Sequence, residues 1–169
     1  MGAVAEDVHS LTSMLGSWTL CATTNGYFDI RPRVDFAQLN YEDAGRGRVK
    51  FLVRFQVRTK EYRLRGRARA EMGKKSGYNW WGSGAWLVAS RAKWTLVQST
   101  DGRIAIVRNG GSMMAEPGAL VLARDGVPFA EVRTLLEAHF RAFGLTPAEY
   151  QTMRWRPVVA DRTQPAAAI

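Results

Sequence analysis

The chain has 169 residues, a length that fits one domain with a sizeable core. Its hydrophobic fraction of 46% and charged fraction of 23% are typical of a globular protein, and it has no run of about 18 apolar residues that could span a membrane as a helix. The 24 lysines and arginines exceed the 15 acids and leave a formal net charge of +9, which favours anionic partners such as lipid head groups, nucleic acid or a carboxylate ligand.

The N-terminal residues predict neither a secretory signal nor an acyl anchor. Residues 1–13 lack a basic start followed by an apolar segment, and Glu6 stands where N-myristoylation needs Ser or Thr. The single cysteine, Cys21, forbids an internal disulfide, which suits a reducing compartment. We therefore expect a cytoplasmic or peripheral location, or a periplasmic or secreted one if a leader has been removed.

The first strand is predicted at residues 15–23, after a short helical turn over residues 7–14. Gly16 precedes Trp18 by two positions, and because side chains alternate faces along a strand, the glycine removes a Cβ from the face that carries the indole. The ring can then lie flat over the end of a core. A second strand follows at residues 34–41.

Two strands after the Ala44-Gly45-Arg46-Gly47 turn have the clearest alternation of the chain. Residues 49–57 place five apolar side chains on one face, which indicates a half-buried antiparallel strand. The following strand alternates Arg63, Arg65, Arg67 and Arg69 with Leu64, Gly66, Ala68 and Ala70. Small residues that face inward would leave room inside a barrel.

The position of the next strand is left open, since the aromatic residues 78–88 flank a Gly-Ser-Gly break at residues 82–84. The strand lies before the break, after it, or bends through it. A hairpin over residues 93–108 is clearer, because Asp101-Gly102 between two alternating runs is a strong turn signal. Residues 118–124 predict a short strand after it.

The chain then changes period, and apolar residues at spacings of three and four predict an amphipathic helix over residues 128–143 that Gly144 ends. His139 falls on its apolar side, where we expect a hydrogen-bonded packing residue. Thr146 and Glu149 form a capping box that begins a second helical turn. A last strand is expected at about 152–158, followed by a frayed tail at 160–169.

This order predicts an all-β fold, an eight-stranded antiparallel up-and-down barrel with a C-terminal α-helix and a short final strand. We expect one domain over residues 1–169. The barrel would occupy residues 12–126, the helix 127–143 and the final strand 152–158.

Three motifs in this order resemble the lipocalin family, most closely the bacterial lipocalins. Gly16-Ser17-Trp18 is similar to the family's Gly-x-Trp, Thr100-Asp101 to its Thr-Asp-Tyr with Gly102 in place of the tyrosine, and residues 120–124 to its apolar strand that ends in arginine. The resemblance extends over residues 12–158 and implies that Arg124 packs over Trp18 and binds nearby backbone carbonyls. The chain departs from the family in the absent tyrosine, the missing signal and lipid-anchor cysteine, and the number of arginines.

The resemblance also implies a cup inside the barrel that holds one small ligand. The candidate wall residues are Phe51, Val53, Phe55, Val57, Tyr62, Leu64, Trp80, Trp86 and Trp94. The structural alternative is that several of them only pack the barrel floor. The function expected first is a binding or carrier protein for a small hydrophobic ligand, such as a fatty acid or a similar lipid.

Two other functions stay open. A barrel of this kind also suits an isomerase or cyclase that acts on an apolar metabolite, with Asp35, Tyr41, Tyr62 or Tyr78 as the acid or base. A barrel with a filled interior would instead be a structural or partner-binding module that acts through its basic face. We expect no cofactor and no metal, because the chain has only two histidines and Cys21 has no neighbour at ligand spacing.

The arginines of residues 63–69 allow three interpretations. They form a solvated outer face, or a surface for anionic lipid or an acidic partner, or some of them point inward to clamp a ligand carboxylate or phosphate. Nucleic acid is not expected, because the aromatic residues of the same two strands alternate onto the other face. No oligomeric state is predicted.

Overall fold

The computed structural model describes residues 4–7, 11–24, 34–57, 59–71, 77–83, 91–111 and 116–156, with the backbone alone for residues 7, 34–36 and 57. The strands are β1 (Ala5–Asp7), β2 (Gly16–Thr23), β3 (Val34–Asp43), β4 (Arg48–Val57), β5 (Lys60–Ala70), β6 (Gly77–Gly82), β7 (Arg91–Ser99), β8 (Ile104–Asn109), β9 (Gly118–Arg124) and β10 (Arg154–Trp155). A 3₁₀ turn covers Leu11–Met14, and the helices are α1 (Phe129–His139) and α2 (Pro147–Thr152).

Strands β2 to β9 form a closed antiparallel barrel. Each strand pairs with the next along the chain, and β9 pairs back onto β2, where Trp18 lies opposite Arg124. The predicted fold is therefore confirmed, an eight-stranded up-and-down barrel with a C-terminal helix and a short final strand. The short final strand, β10, pairs with the C-terminal end of β2, with Arg154 opposite Thr23.

Strand β1 was not predicted. It pairs with the end of β7, with Glu6 opposite Gln98. Of the residues 7–14 expected to form a helical turn, Asp7 belongs to β1 and Leu11–Met14 form the 3₁₀ turn, while residues 8–10 lie outside the described residues. Two or three residues carry too little periodicity for a pattern to emerge. The pairing is supplied by a neighbouring strand that is distant in the sequence.

Alternation along β4 and β5 decides which side chains line the barrel. Val49, Phe51, Val53 and Phe55 are buried on one side of β4, and Gly66 and Ala68 are buried opposite them on β5. The arginines at positions 63, 65, 67 and 69 are all exposed. The interpretation in which they point inward to clamp a ligand is wrong, because an interior guanidinium here would have to replace the small residues that face the core.

The fifth strand of the barrel, β6, lies before the Gly-Ser-Gly break rather than after it. Tyr78 and Trp80 point into the barrel, and Trp81 lies on the outer side. Trp86 falls outside the described residues.

Helix α1 packs on the outside of the barrel, over β2, β8 and β9. Its fully buried residues Val132 and Leu136 join a second apolar cluster with Ile104, Ile106 and Val121. The outer face of β4 to β6 takes no part in this cluster. In the described part of the chain, no helix is long and apolar enough to cross a membrane.

The helix is shorter than predicted, and the expectation for His139 was wrong. The helix ends at this residue, and residues 141–144 form a turn in which Gly144 has φ 74°. His139 is exposed, and Phe143 enters the apolar cluster from the turn. The apolar spacing continues through Phe143, which is buried against the barrel although the helix has already ended, so the pattern predicts a helix that is too long.

Candidate functional site

One end of the barrel is closed by the side chains of Trp18 and Arg124. The indole is fully buried and donates a hydrogen bond from Nε1 to the carbonyl oxygen of Met14, at 2.7 Å. The guanidinium lies 4.1 Å above the indole ring and donates to the carbonyl oxygens of Leu15 and Ser13. The residues around the 3₁₀ turn are thereby tied to both strands, β2 and β9, at one end of the seam between them.

At two positions of the sequence motifs, the backbone conformation explains why the residue is glycine. Gly16 has φ 99°, and a Cβ there would lie 3.0 Å from Nη1 of Arg124, so a side chain would press on the guanidinium. Gly102 has φ 70° in the hairpin turn, a conformation that a tyrosine adopts with difficulty. Asp101 completes this turn by accepting hydrogen bonds from Ser99 Oγ at 2.5 Å and from the Arg103 amide at 3.0 Å, and these hydrogen bonds lower its pKa.

The interior above the closed end contains an aromatic cluster centred on Phe51. Its ring centroid lies 5.9 Å from that of Tyr41, 5.8 Å from that of Trp80 and 5.7 Å from that of Trp94. The two indoles are also stacked on each other, at 5.8 Å. We call these four residues the aromatic cluster. They come from β3, β4, β6 and β7, so the cluster crosses the barrel.

The space expected beside the small residues of β5 is occupied by this cluster. A methyl group on Gly66 would clash with Cζ of Phe51 and would lie 2.8 Å from Nε1 of Trp80. The small residue thus admits two large rings from neighbouring strands. The prediction that small residues leave room inside the barrel is corrected accordingly.

A small cavity lies between the cluster and the closed end, with a volume of about 10 Å³, close to the minimum that holds one water molecule. Its walls come from the 3₁₀ turn and from five barrel strands. The lining residues are Leu11, Met14, Tyr41, Ala68, Tyr78, Trp94, Leu96 and Val107.

Three hydrogen-bond donors of the aromatic cluster have no partner. They are the Tyr41 hydroxyl, Nε1 of Trp80 and Nε1 of Trp94, and each atom is buried. A buried donor without a partner costs about 1–3 kcal/mol, so three cost about 3–9 kcal/mol. This is a large amount against the 5–15 kcal/mol by which domains are typically stable.

The described residues place no charged side chain in the interior beside these donors. Among the described residues, no lysine, arginine, aspartate or glutamate is buried. Burial raises the pKa of the Tyr41 phenol above its ordinary range and raises the pKa of Tyr78 to about 12. Both phenols are therefore protonated at neutral pH.

The predicted wall residues lie in the barrel as follows. Phe51, Val53 and Phe55 are buried in the interior apolar cluster, and Tyr62, Leu64, Trp80 and Trp94 are half-buried against it. Tyr62 stacks on Phe55 at 5.4 Å, away from the aromatic cluster. The side chain of Val57, that of Asp35 and the whole of Trp86 lie outside the described residues.

Sequence reasoning did not identify Leu11, Met14, Leu96 and Val107 as lining residues, and it named Tyr41 only as a possible acid or base. Alternation along β3 was too weak to show which of its faces is interior. The 3₁₀ turn gave no signal that its side chains enter the barrel. Only the closure of the barrel brings these residues to one place.

The outer face of β4 to β7 is strongly basic, and we call it the basic face. In the strand register, Arg48 lies opposite Arg69, Lys50 opposite Arg67, and Arg54 opposite Arg63. Like charges directly opposite on adjacent strands destabilise a sheet by a few tenths to about 1 kcal/mol each. Among the described residues, the basic face consists of Arg48, Lys50, Arg54, Arg63, Arg65, Arg67, Arg69, Arg91 and Lys93.

Few acids offset these charges. Arg63 pairs with Glu61 at 2.7 Å and Lys93 with Glu71 at 3.4 Å. No carboxylate in the described part of the chain lies within 4 Å of the arginines at positions 65, 67 and 69. Trp81 of β6 also lies on this face, opposite Arg67 on one side and Arg91 on the other. The basic face therefore includes one aromatic side chain, although β4 and β5 place none there.

The described residues offer no metal site. No group of three His, Cys, Asp or Glu side chains among them is arranged to hold a metal ion. Cys21 is free and buried beneath the outer helix, and burial raises the pKa of its thiol to about 12. It is therefore an unreactive packing residue.

Comparison with known proteins identifies the fold. No sequence family and no curated protein matches the chain. Insecticyanin from the tobacco hornworm Manduca sexta has a similar structure, with a TM-score of 0.66 and 12% identity over 92% of this chain and 89% of that one. Lipocalin 12 from rat epididymis is similar with a TM-score of 0.62 and 11% identity, over 98% of this chain and 97% of that one.

The siderocalin Ex-FABP is similar with a TM-score of 0.58 and 10% identity, over 91% of this chain and 97% of that one. At such identities the likeness concerns the fold. The chain has the lipocalin fold.

Proposed function

We propose that this lipocalin-fold protein binds a small apolar ligand inside its barrel, a fatty acid or a similar lipid being the class expected from the sequence. The observation that supports the proposal is the group of three unpaired donors in the aromatic cluster. A core that served stability alone would have paired these donors or replaced them by apolar groups. A ligand with an acceptor atom would pair them.

Solved proteins of this fold support the same function. The siderocalin Ex-FABP functions through dual ligand specificities, and the interior of this chain has the apolar lining that such pockets require. Because Phe51 and Trp80 fill the space beside Gly66, the ligand would enter by displacing these rings.

The test is a titration with dansyl-labelled undecanoic acid and with its methyl ester. Either probe should show saturable binding at one site per chain, weakened by Phe55→Asp, which places a charge on the interior face of β4. The control is Leu52→Asp on the outer face of the same strand, which should leave binding unchanged. Binding that does not saturate with either probe would contradict the proposal.

A second candidate function is an isomerase or cyclase acting on an apolar metabolite, and the cavity lined by two tyrosines favours it. Because the Tyr41 phenol stays protonated, it would act as a general acid rather than as a base. Such a reaction leaves the mass unchanged. Incubation with a metabolite extract should therefore convert one compound into another of equal mass, and Tyr41→Phe should abolish the conversion.

We also propose that the basic face docks on anionic lipid. Each basic residue near an anionic membrane surface contributes about 1 kcal/mol to the free energy of binding. Tryptophan, the residue at position 81, is enriched at membrane interfaces. The helix α1 packs over β2, β8 and β9, away from this face.

Sedimentation with vesicles tests this proposal. Binding should require phosphatidylserine, weaken with salt, and fall about thirtyfold in Arg65→Ser/Arg67→Ser. The control, Arg133→Ser/Arg141→Ser, has the same net charge but changes the helical side, and should bind nearly as well as wild type. Equal loss in both variants, or binding to single-stranded DNA but not to vesicles, would overturn it.

A further inference from the structure

The three unpaired donors of the aromatic cluster belong to one place in the barrel. The rings that carry them all contact Phe51, with centroids within 5.7 to 5.9 Å of its centroid. Tyr41 and Trp94 also line the same cavity. The three donor-bearing rings therefore belong to one cluster inside the barrel; those of Tyr41 and Trp94 border the cavity, and Nε1 of Trp80 lies beside Gly66 of β5.

The described residues offer these donors no acceptor. The side chains that line the cavity with Tyr41 are aliphatic, aromatic or a thioether, apart from Tyr78. By contrast, the indole of Trp18, which closes the end of the barrel, donates its hydrogen bond to the carbonyl oxygen of Met14 at 2.7 Å. The chain thus pairs the donor that belongs to the closure and leaves unpaired the three that face the interior.

The charge of the interior selects among acceptors. An ionised carboxylate buried here would have no cation beside it among the described residues, because none of their basic side chains is buried. The guanidinium of Arg124 already contacts Trp18 and donates to two backbone carbonyls. An unpaired buried charge is far more costly than a neutral carbonyl. A carbonyl oxygen accepts two hydrogen bonds, so the carbonyl of a ketone or aldehyde pairs two of the three donors, and the second oxygen of an ester can pair the third.

We infer that the aromatic cluster is a binding site for the neutral carbonyl group of an apolar ligand, such as an ester, ketone or aldehyde, held by the Tyr41 hydroxyl and the indole N–H groups of Trp80 and Trp94. The inference rests on the proposed function and names the ligand class of the same site. The carbonyl end lies deep, near the closed end. The apolar remainder extends along Val53 and Leu64 toward the stacked pair of Phe55 and Tyr62.

The two dansyl probes distinguish this ligand class from a fatty acid at neutral pH. The methyl ester should bind more than about tenfold tighter than the ionised acid. Tyr41→Phe should weaken ester binding about three- to tenfold, as the loss of one net hydrogen bond does. Trp80→Phe and Trp94→Phe, which keep a ring and remove a donor, should weaken it as well. Tyr150→Phe makes the same chemical change outside the barrel and should have no effect.

The outcomes separate the two claims. If neither probe binds, the proposed function fails. If the probes bind but the ionised acid is as tight as the ester, or if Tyr41→Phe and both tryptophan variants bind the ester like wild type, the small-ligand function stands and the carbonyl site is overturned.

Discussion

Replacing Tyr41 by phenylalanine should make the ligand-free protein more stable, which is the opposite of what most core substitutions do. The side chain is 3% exposed, and its hydroxyl has no hydrogen-bond partner. Removing the hydroxyl removes the cost of keeping it from water, about 1–3 kcal/mol. The phenylalanine ring keeps the contact with Phe51, and the atom lost is a single oxygen, so the cavity grows little.

The expected gain is about 1–2 kcal/mol in the free energy of unfolding. For a domain of this size it corresponds to a rise of roughly 2–8 °C in the melting temperature. Urea denaturation of the delipidated protein, followed by circular dichroism, measures it, with Tyr150→Phe as the control. A loss of stability of 1 kcal/mol or more would refute the reasoning, because it would mean that the hydroxyl is paired in the folded protein.

The remaining predictions concern the closed end, the tightest interior contact and the outer helix. Arg124→Met should lower the free energy of unfolding by about 3–5 kcal/mol, since the two hydrogen bonds to backbone carbonyls and the contact with Trp18 are lost; a loss below 1 kcal/mol in urea would contradict this. Gly66→Ala should cost about 1–3 kcal/mol because the new methyl group clashes with Phe51, and an unchanged melting temperature would argue against the packing described. The Glu149 carboxylate binds an arginine of β8, which lowers its pKa from 4.5 to about 2. Its contribution is present above pH 4.5 and is lost as the pH falls toward 2, about 1 kcal/mol for a partly exposed pair; Glu149→Gln should flatten the stability profile in that window, and a profile parallel to wild type would speak against it.

The sequence predicted the barrel well because its information is local and periodic. Alternation along residues 49–57 identified the interior face of β4. The arginines of β5 could be placed on one face together, although the sequence did not decide which face was interior. The position of strand β6 could not be decided from the sequence, because glycines interrupt the alternating pattern at residues 82–84.

The content of the barrel could not be predicted in the same way. Periodicity states which side chains face inward, but not which rings occupy the space above Gly66. It gives no information on whether a buried hydroxyl or indole N–H has a partner, since partners come from strands that are distant in the sequence. The unpaired donors of Tyr41, Trp80 and Trp94 appear only when β3, β6 and β7 are brought together.

The indole N–H signals in a ¹H–¹⁵N spectrum test the carbonyl site most directly. Phenylalanine substitutions at positions 80 and 94 assign the signals, and methyl undecanoate serves as the titrant because it has no ring that would shift them by itself. The indole protons of Trp80 and Trp94 should move downfield on saturation as they gain an acceptor, while that of Trp18, already bonded to Met14, should stay in place. Saturable binding that leaves the signals of Trp80 and Trp94 unmoved would contradict the account.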